Sequence, residues 1–259
     1  MKVPIRMIGI VTVILWIFLI FFTASAAYSV TYLHFEFKDP QIETTLNKRV
    51  ILTLPIDILN NGYYNIGSFN VTTRVSDAEG SIISQGSTLV RVIRKGENVT
   101  ILHNVTLNMD DLLRKDQSYL FNDTLLDVAE SIGLRIAEII PVEASANLSI
   151  PWGAPIYNLT VEQPLYTVLN LTHLQVTIPI SFENHSFFNI SGQLQLKMLN
   201  EAKLTIGSNE TTIEVAQHSH YREHIQFDVL TSSMTSKGYF EIYVSTPLFN
   251  YGPQVTTYG

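Results

Sequence analysis

The chain repeats itself at long range. Residues 53–66 read TLPIDILNNGYYNI and residues 177–190 read TIPISFENHSFFNI, at an offset of 124 residues. A second, shorter match relates residues 154–158 to residues 246–250 at an offset of 92. Repetition over this distance predicts two related domains in tandem, each long enough to enclose its own core. The offsets of 124 and 92 differ by 32, which predicts an insertion of that length in the first domain, between about residues 109 and 140.

The predicted insertion carries a helical pattern. Asn108 precedes Asp110 and Asp111, as an N-cap precedes an acidic first turn. Apolar residues then recur at spacings of three and four, and Gly133 weakens or ends the pattern. The recurring positions are Leu120, Phe121, Leu125, Val128, Ile132 and Ile136. We therefore predict that most of residues 109–140 is helical.

The chain after residue 30, apart from this insertion, has the alternation of half-buried strands. Apolar residues occupy every second position of residues 142–152, and residues 178–182 and 240–244 repeat the pattern. Turn sequences such as Asn60-Asn61-Gly62 follow the strand-like runs. The pattern predicts a mainly β protein with two tandem antiparallel β-sandwich domains. We place the first at residues 31–163, including the helical insertion, and the second at residues 164–259.

The N-terminal segment predicts a membrane anchor. Residues 7–27 carry no charge, and a helix of 21 residues spans about 31 Å, the thickness of a hydrocarbon core. Lys2 and Arg6 precede it, and the first charged residue after it is Glu36. This asymmetry predicts a cytoplasmic leader at residues 1–6, a transmembrane signal anchor at residues 7–30 and export of the remainder. The alternative is a signal peptide cleaved after Ala26, since Ala24-Ser25-Ala26 has the small-x-small form of a cleavage site.

Ten Asn-x-Ser/Thr sequons give an independent indication of export. None has proline in the middle position, and they predict a heavily N-glycosylated surface. The absence of cysteine excludes disulfides, thiolate metal sites and thiol catalysis. Dense sequons without cysteine are typical of an archaeal cell-surface protein with extracellular domains, and less so of a eukaryotic protein with lumenal ones. The predicted acceptors are Asn70, Asn98, Asn104, Asn122, Asn147, Asn158, Asn170, Asn184, Asn189 and Asn209.

The repeated unit resembles the LEA-2 (late embryogenesis abundant type 2, or WHy) domain. The resemblance lies in an apolar strand that ends in Asn60 or Asn184, followed within four residues by an aromatic residue and Asn-Ile. A second strand follows at residues 69–75 and 193–199. A polar turn then precedes the fourth strand of each copy, at residues 94–98 in the first and at about residues 217–221 in the second. The resemblance implies an antiparallel sandwich with an apolar groove beside a helix. It also implies a lipid-binding role in some members, and it brings no catalytic residues.

Three functions follow as hypotheses. The first is a membrane-anchored, N-glycosylated, non-enzymatic structural or interaction protein of the cell envelope, with a protein partner or self-association. The second is an apolar-ligand or lipid-binding module, whose groove beside the helix is lined by Leu125, Val128, Ile132 and Ile136. The third is a subunit of an extracellular filament or membrane complex.

Charge and motifs exclude several other classes. The net charge is −7, which argues against a nucleic-acid partner, and no sequence motif predicts a catalytic site or a cofactor. His218, His220 and His224 have the even spacing that could present three imidazoles on one face of a strand to a metal. The repeat instead predicts an exposed turn there, and Arg222 would repel a cation. We therefore predict no metal site.

Overall fold

A computed structural model describes residues 5–259, with side chains from residue 9 onward. Helix α1 (Ile5–Val30) opens the described chain, and its Gly9–Val30 part has a mean hydropathy of 2.5 and is almost entirely exposed. The helix is therefore long and apolar enough to cross a membrane. Residues 1–4, and with them most of the leader predicted at residues 1–6, lie outside the described residues.

Two four-stranded antiparallel sheets form the first sandwich. The strands are β1 (Leu33–Phe37), β2 (Gln41–Thr45), β3 (Arg49–Asn60), β4 (Ile66–Ser76), β5 (Ile82–Ile93), β6 (Asn98–Asn108), β7 (Thr124–Ile136) and β8 (Ile140–Trp152). In one sheet β1 and β2 share one side of β3, and β6 pairs with its other side. The second sheet has the order β5-β4-β7-β8.

The second sandwich repeats this arrangement. Its strands are β9 (Tyr157–Val161), β10 (Leu165–Val168), β11 (His173–Asn184), β12 (Ile190–Asn200), β13 (Thr205–Val215), β14 (Ser219–Leu230), β15 (Gly238–Ser245) and β16 (Asn250–Tyr258). Here β9 and β10 pair with one side of β11, and β14 pairs with its other side. The other sheet has the order β13-β12-β15-β16. The predicted fold class, a mainly β chain with two antiparallel sandwiches behind an apolar helix, is confirmed.

The helical part of the first domain is much shorter than predicted. Between β6 and β7 lie helix α2 (Met109–Lys115), which Asn108 caps as expected, and a 3-10 helix (Gln117–Leu120). The residues predicted to continue the helix form β7, which pairs with β4 and β8. The prediction was wrong because Val128, Ile132 and Ile136 are spaced by four, and that spacing fits one face of a strand as well as one face of a helix.

The prediction of a 32-residue insertion was also wrong. Sheet order equates β7 with β15 and β8 with β16, whereas the match at an offset of 92 relates the connection before β9 to the β15–β16 turn. Those two segments do not occupy equivalent places. The extra chain of the first domain lies in the longer connection, residues 109–123 against residues 231–237, and in β7 and β8, which have 13 residues each against 8 and 9 in β15 and β16.

The second sandwich begins earlier than residue 164. Strand β9 pairs with β11, with Tyr157 opposite Glu183, just as β1 pairs with β3. The predicted boundary therefore falls inside the second sandwich. Leu33 and Tyr157, the first residues of β1 and β9, are 124 residues apart, so the repeat extends upstream of the segment that revealed it.

The core of the first sandwich contains a buried histidine. His103 is 2% exposed, and its Nε2 and Nδ1 lie 2.9 Å from the hydroxyl oxygens of Thr73 and Thr88. Burial lowers the pKa of His103 below its ordinary value, so the ring is neutral in the folded protein. The second sandwich has Ile225 in the equivalent place, opposite Ile178 of β11.

Candidate functional site

The loop that follows β3 recurs after β11 with the same internal hydrogen bonds. Asn60 is fully buried, and its Nδ2 donates to the carbonyl oxygens of Tyr64 at 3.0 Å and Ile93 at 3.1 Å. Asn184 is also fully buried and donates to those of Phe188 at 2.9 Å and Ala216 at 3.0 Å. Each asparagine thus ties its own loop to the end of the strand beside it. We call these segments, residues 60–65 and 184–189, the repeated loops.

In the first domain the repeated loop receives the end of α1. The Ser29 hydroxyl accepts a hydrogen bond from the Tyr63 backbone N–H at 2.8 Å, and the Ser25 hydroxyl lies 2.7 Å from that of Tyr64. Ala26 is 1% exposed and belongs to the core of the first sandwich. The last two turns of α1 are therefore packed against the sandwich, and the helix and the domain form one unit.

In the second domain the repeated loop receives the end of the first domain. Trp152, the last residue of β8, is fully buried, and its ring centroid lies 5.7 Å from that of Phe187 and 6.2 Å from that of Phe188. Its indole N–H donates to the Tyr119 carbonyl oxygen at 2.9 Å. The hydrophobic core is continuous across this junction, since buried residues of both sandwiches belong to one cluster.

The two junctions are copies of each other. Tyr28 stacks on Tyr63 with ring centroids 6.0 Å apart, and the residues 124 positions later are Trp152 and Phe187. Ser29 likewise corresponds to Gly153. A Cβ added to Gly153 would overlap the His185 carbonyl oxygen, so this close approach of two backbones requires glycine. The same kind of junction therefore joins α1 to the first sandwich and the first sandwich to the second.

Charged groups reinforce the junction between the sandwiches. His185, in the second repeated loop, has Nδ1 2.7 Å from an Asp123 carboxylate oxygen of the first domain and Nε2 2.8 Å from Glu183. Its ring also stacks on Tyr157 at 4.3 Å. Hydrogen bonds to Glu183 and Asp123 raise the pKa of His185 above its ordinary value. The doubly protonated ring donates to both carboxylates and so bridges the two domains.

This arrangement predicts a pH dependence of the junction. The folded-state pKa of His185 lies above the unfolded value of 6.5, so its stabilising contribution is complete below pH 6.5 and is lost as the pH rises through the folded-state pKa. We expect the melting temperature of the wild type to fall more steeply on the alkaline side than that of His185→Gln. Calorimetric scans of both proteins, at pH values from below 6.5 to above the folded-state pKa of His185, measure this difference in slope. His103 is present in both proteins, so its titration does not contribute to the difference. Parallel curves would contradict the prediction.

The predicted apolar groove is not formed. Val128 and Ile136 are buried in the core of the first sandwich, 8% and 5% exposed, and Ile132 faces the same way and is partly buried. Leu125 lies on the opposite face of β7 and is 57% exposed. The four residues belong to strand β7 and not to a helix, so the predicted groove beside a helix that they would line does not exist. Leu125 instead borders an open cleft of about 420 Å³ at the junction, together with Pro151, Trp152, Phe187 and His218.

The three histidines proposed as weak metal ligands are not brought together. His218 lies in the turn before β14 with a positive φ of 54°, whereas His220 and His224 lie on the exposed face of that strand. Four strand residues span about 13 Å, too far for one ion. In the described residues no group of three histidine, aspartate or glutamate side chains is placed to hold a metal ion.

The ten sequon asparagines differ in their exposure to solvent. Asn70 is partly buried on β4, and Asn184 is fully buried with its side-chain amide hydrogen-bonded inside the repeated loop. A glycan on Asn184 is incompatible with this fold, so that predicted acceptor is corrected to a structural residue. The other eight are exposed: Asn98, Asn104, Asn122, Asn147, Asn158, Asn170, Asn189 and Asn209.

The sequence-based site residues did not include those of the junctions. In the sequence Trp152 is one of the alternating apolar residues of a strand, and His185 and Asp123 belong to no catalytic or metal-binding motif. Extending the repeat upstream would have paired Tyr28 with Trp152 at the offset of 124 and so pointed to both junctions. The pairing of His185 with Asp123 carries no such signal, because the two residues are 62 positions apart.

The known proteins whose structures resemble this chain have low sequence identity to it. No family model and no curated protein matches the chain. Among solved structures, red sea bream transglutaminase is 18% identical over 88% of this chain and 31% of its own, with a TM-score of 0.30. A glycosyl hydrolase family 2 member from Bacteroides cellulosilyticus is 8% identical over 80% of this chain and 28% of its own, with a TM-score of 0.33. The chain thus spans about a third of the length of these two proteins. A bacterial adhesin from Mobiluncus mulieris is 10% identical over 83% of this chain and 81% of its own, with a TM-score of 0.32.

Proposed function

We propose that the protein is a membrane-anchored, N-glycosylated, non-enzymatic component of the cell envelope, in which two LEA-2-like sandwiches of archaeal type form a stiff stalk outside the cytoplasm. The observation that carries the proposal is the repeated junction. The buried packing of Ala26 and Trp152 makes α1, the first sandwich and the second sandwich successive parts of one body. A protein built in this way holds its distal domain at a fixed distance from the bilayer.

The proposed orientation of the chain across the membrane is supported by the charges around the apolar segment and by the sequons. Lys2 and Arg6 precede the apolar segment, and no charged residue follows it before Glu36, the asymmetry of a segment whose N-terminus stays in the cytoplasm. Eight sequon asparagines are exposed and are distributed over both sandwiches, as a hydrated glycan coat requires.

A role as a subunit of a filament or membrane complex is the alternative. The open edge of β16 favours it, since in the described chain this strand pairs with β15 alone and contains no sequon, although Pro253 lies within it. Strand β8 also has an open edge, but it contains Pro141 and Pro151 near its two ends and sequon Asn147 near its centre. Those features blunt an edge against pairing. For the lipid-binding alternative, the burial of Val128 and Ile136 removes the groove on which it was based.

Glycopeptide mapping of the protein from its native membrane tests the proposal. We expect occupied sites to come from the eight exposed asparagines and Asn184 to be unoccupied, because its side-chain amide is enclosed by the repeated loop. Added protease should degrade residues 31–259 on intact cells while leaving a cytoplasmic marker protein whole. Full protection of these residues together with a polypeptide of unmodified mass would refute the proposal.

A further inference from the structure

One end of the first sandwich carries two exposed cations and several tyrosines, and it is the end that receives α1. Arg94 and Lys95 are exposed in the β5–β6 turn. The Lys95 backbone N–H donates to the Asn65 side-chain oxygen at 3.1 Å, and the Lys95 ammonium lies 5.6 Å from the ring centroid of Tyr63. Among residues 9–259, no carboxylate oxygen lies within 4.0 Å of the charged nitrogens of Arg94 or Lys95. Both cations are therefore available to an outside partner.

The same end of the second sandwich lacks this charge. Strand register equates Ile93 with Val215, so Ala216 and Gln217 occupy the places of Arg94 and Lys95. That turn borders the first sandwich. The cations thus occur only in the copy whose end faces the helix.

The aromatic residues differ in the same direction. Tyr28, Tyr63 and Tyr64 surround the helix junction, and their equivalents 124 residues later are Trp152, Phe187 and Phe188. Tyr28 and Tyr63 are 52% and 53% exposed. Tyrosine places an apolar ring beside a polar hydroxyl, and it is enriched where hydrocarbon meets water at a membrane interface. The junction between the two sandwiches is buried, and its aromatic residues lack the tyrosine hydroxyls.

Helix length brings this end close to the bilayer. The Tyr64 ring contacts Phe22 with centroids 5.7 Å apart, so the sandwich reaches eight residues, or about 12 Å, along α1 from its end at Val30. The remaining residues 5–22 span about 27 Å, close to the thickness of a hydrocarbon core. If residues 5–22 span the hydrocarbon core, the sandwich that contacts Phe22 lies directly beside the lipid headgroups.

An exposed apolar residue completes the surface. Ile139 is 71% exposed in the β7–β8 turn, and the neighbouring Ala137 backbone N–H donates to the Asn65 carbonyl oxygen at 3.0 Å. This turn therefore lies beside the repeated loop. Glu97 and Glu138 also lie at this end, and Glu97 accepts a hydrogen bond from the Arg94 backbone N–H at 2.6 Å.

We propose that this end of the first sandwich is a membrane-binding surface that rests in the lipid headgroup layer. In it Arg94 and Lys95 bind lipid phosphates, the tyrosines occupy the interface and Ile139 reaches the acyl boundary. The proposal rests on α1 spanning a bilayer, as the proposed function requires. It adds that the first sandwich is seated on the lipid although the exported chain is acidic, with 14 basic against 23 acidic residues once Lys2 and Arg6 are left out.

The absence of native cysteine allows a direct test by spin labelling. Single nitroxides are attached at Ile139→Cys, at Trp16→Cys inside α1 and at Leu46→Cys, an 85% exposed residue in the β2–β3 turn at the far end of the sandwich. The full chain is placed in nanodiscs of phosphatidylcholine with phosphatidylglycerol, and collision rates with oxygen and with a water-soluble nickel chelate are compared. We expect the oxygen-to-nickel ratio at position 139 to exceed that at position 46 several-fold and to remain below that at position 16.

The outcomes distinguish the proposed membrane-binding surface from the proposed membrane anchor. Equal ratios at positions 139 and 46, with position 16 protected from nickel, would overturn the membrane-binding surface and leave the anchor intact. Exposure of position 16 to nickel would instead overturn the anchor.

A second arm tests the phosphate contact. The pair Arg94→Glu with Lys95→Glu should lower the ratio at position 139 toward that of position 46. The control pair, Lys203→Glu with Lys237→Glu near the distal end of the second sandwich, should leave it unchanged. An unchanged ratio in the first pair would overturn the role of the two cations.

Discussion

Replacing Trp152 with alanine is expected to lower the free energy of unfolding by about 3–5 kcal/mol, the range for large aromatic residues removed from a core. Trp152 is fully buried between Tyr119, Phe187 and Phe188. Its removal leaves a cavity at the domain junction and deprives the Tyr119 carbonyl oxygen of its donor. Urea unfolding of the full chain in detergent, followed by far-UV circular dichroism, measures the loss.

The control for this prediction is Leu125→Ala. Leu125 borders the same junction but is 57% exposed, so we expect a change within about 0.5 kcal/mol. The junction itself can be followed by the distance between nitroxides at Ile139→Cys and Leu171→Cys, which lie in the two different sandwiches. Its distribution should broaden in Trp152→Ala. A distribution as narrow as that of the wild type would mean that Trp152 does not hold the domains together.

Replacing Asn184 with alanine is expected to cost about 1–3 kcal/mol, because the buried Ser186 backbone N–H loses its acceptor and the Phe188 and Ala216 carbonyl oxygens each lose one donor. The Asn184 amide donates to the Phe188 and Ala216 carbonyl oxygens, and its Oδ1 accepts from the Ser186 backbone N–H at 3.0 Å. Asn60→Ala, in the equivalent place, should cost a similar amount, since Asn60 makes the corresponding bonds.

Asn147→Ala is the matched control for this second prediction. Asn147 is also a sequon asparagine, but it is exposed on β8. In protein made without glycosylation we expect its replacement to change stability by less than about 0.5 kcal/mol. If Asn184→Ala and Asn147→Ala unfold at the same urea concentration, the structural role given to Asn184 is wrong.

The period of the hydrophobic pattern decided where prediction from sequence succeeded and where it failed. Alternation along residues 142–152 predicts a strand, and this segment forms β8, but residues 141–149 are exposed on both faces instead of half-buried as predicted. Spacing by four at Val128, Ile132 and Ile136 does not distinguish a helix from a strand. The choice depends on β4, whose residues pair with those of β7 from 51 to 70 positions away, and the local sequence does not indicate that pairing.

The sequon pattern shows the same limit. Asn98 and Asn184 both satisfy Asn-x-Ser/Thr, yet one is exposed at the start of β6 and the other is enclosed in the repeated loop. A three-residue motif specifies the acceptor chemistry and says nothing about burial. Burial depends on the neighbouring turn, whose Ala216 carbonyl oxygen takes the Asn184 amide.

The order of residues alone determined that this chain has an apolar helix long enough to cross a membrane and two related β domains. These properties follow from local composition, alternation and repetition, each of which acts over a few residues or is visible by comparing the chain with itself. Only the tertiary structure decided that β7 is a strand, that Asn184 is structural and that the two repeated loops form the two junctions. Each of these depends on partners distant in sequence, such as Asp123 for His185, and such partners are brought together only when the sheets assemble.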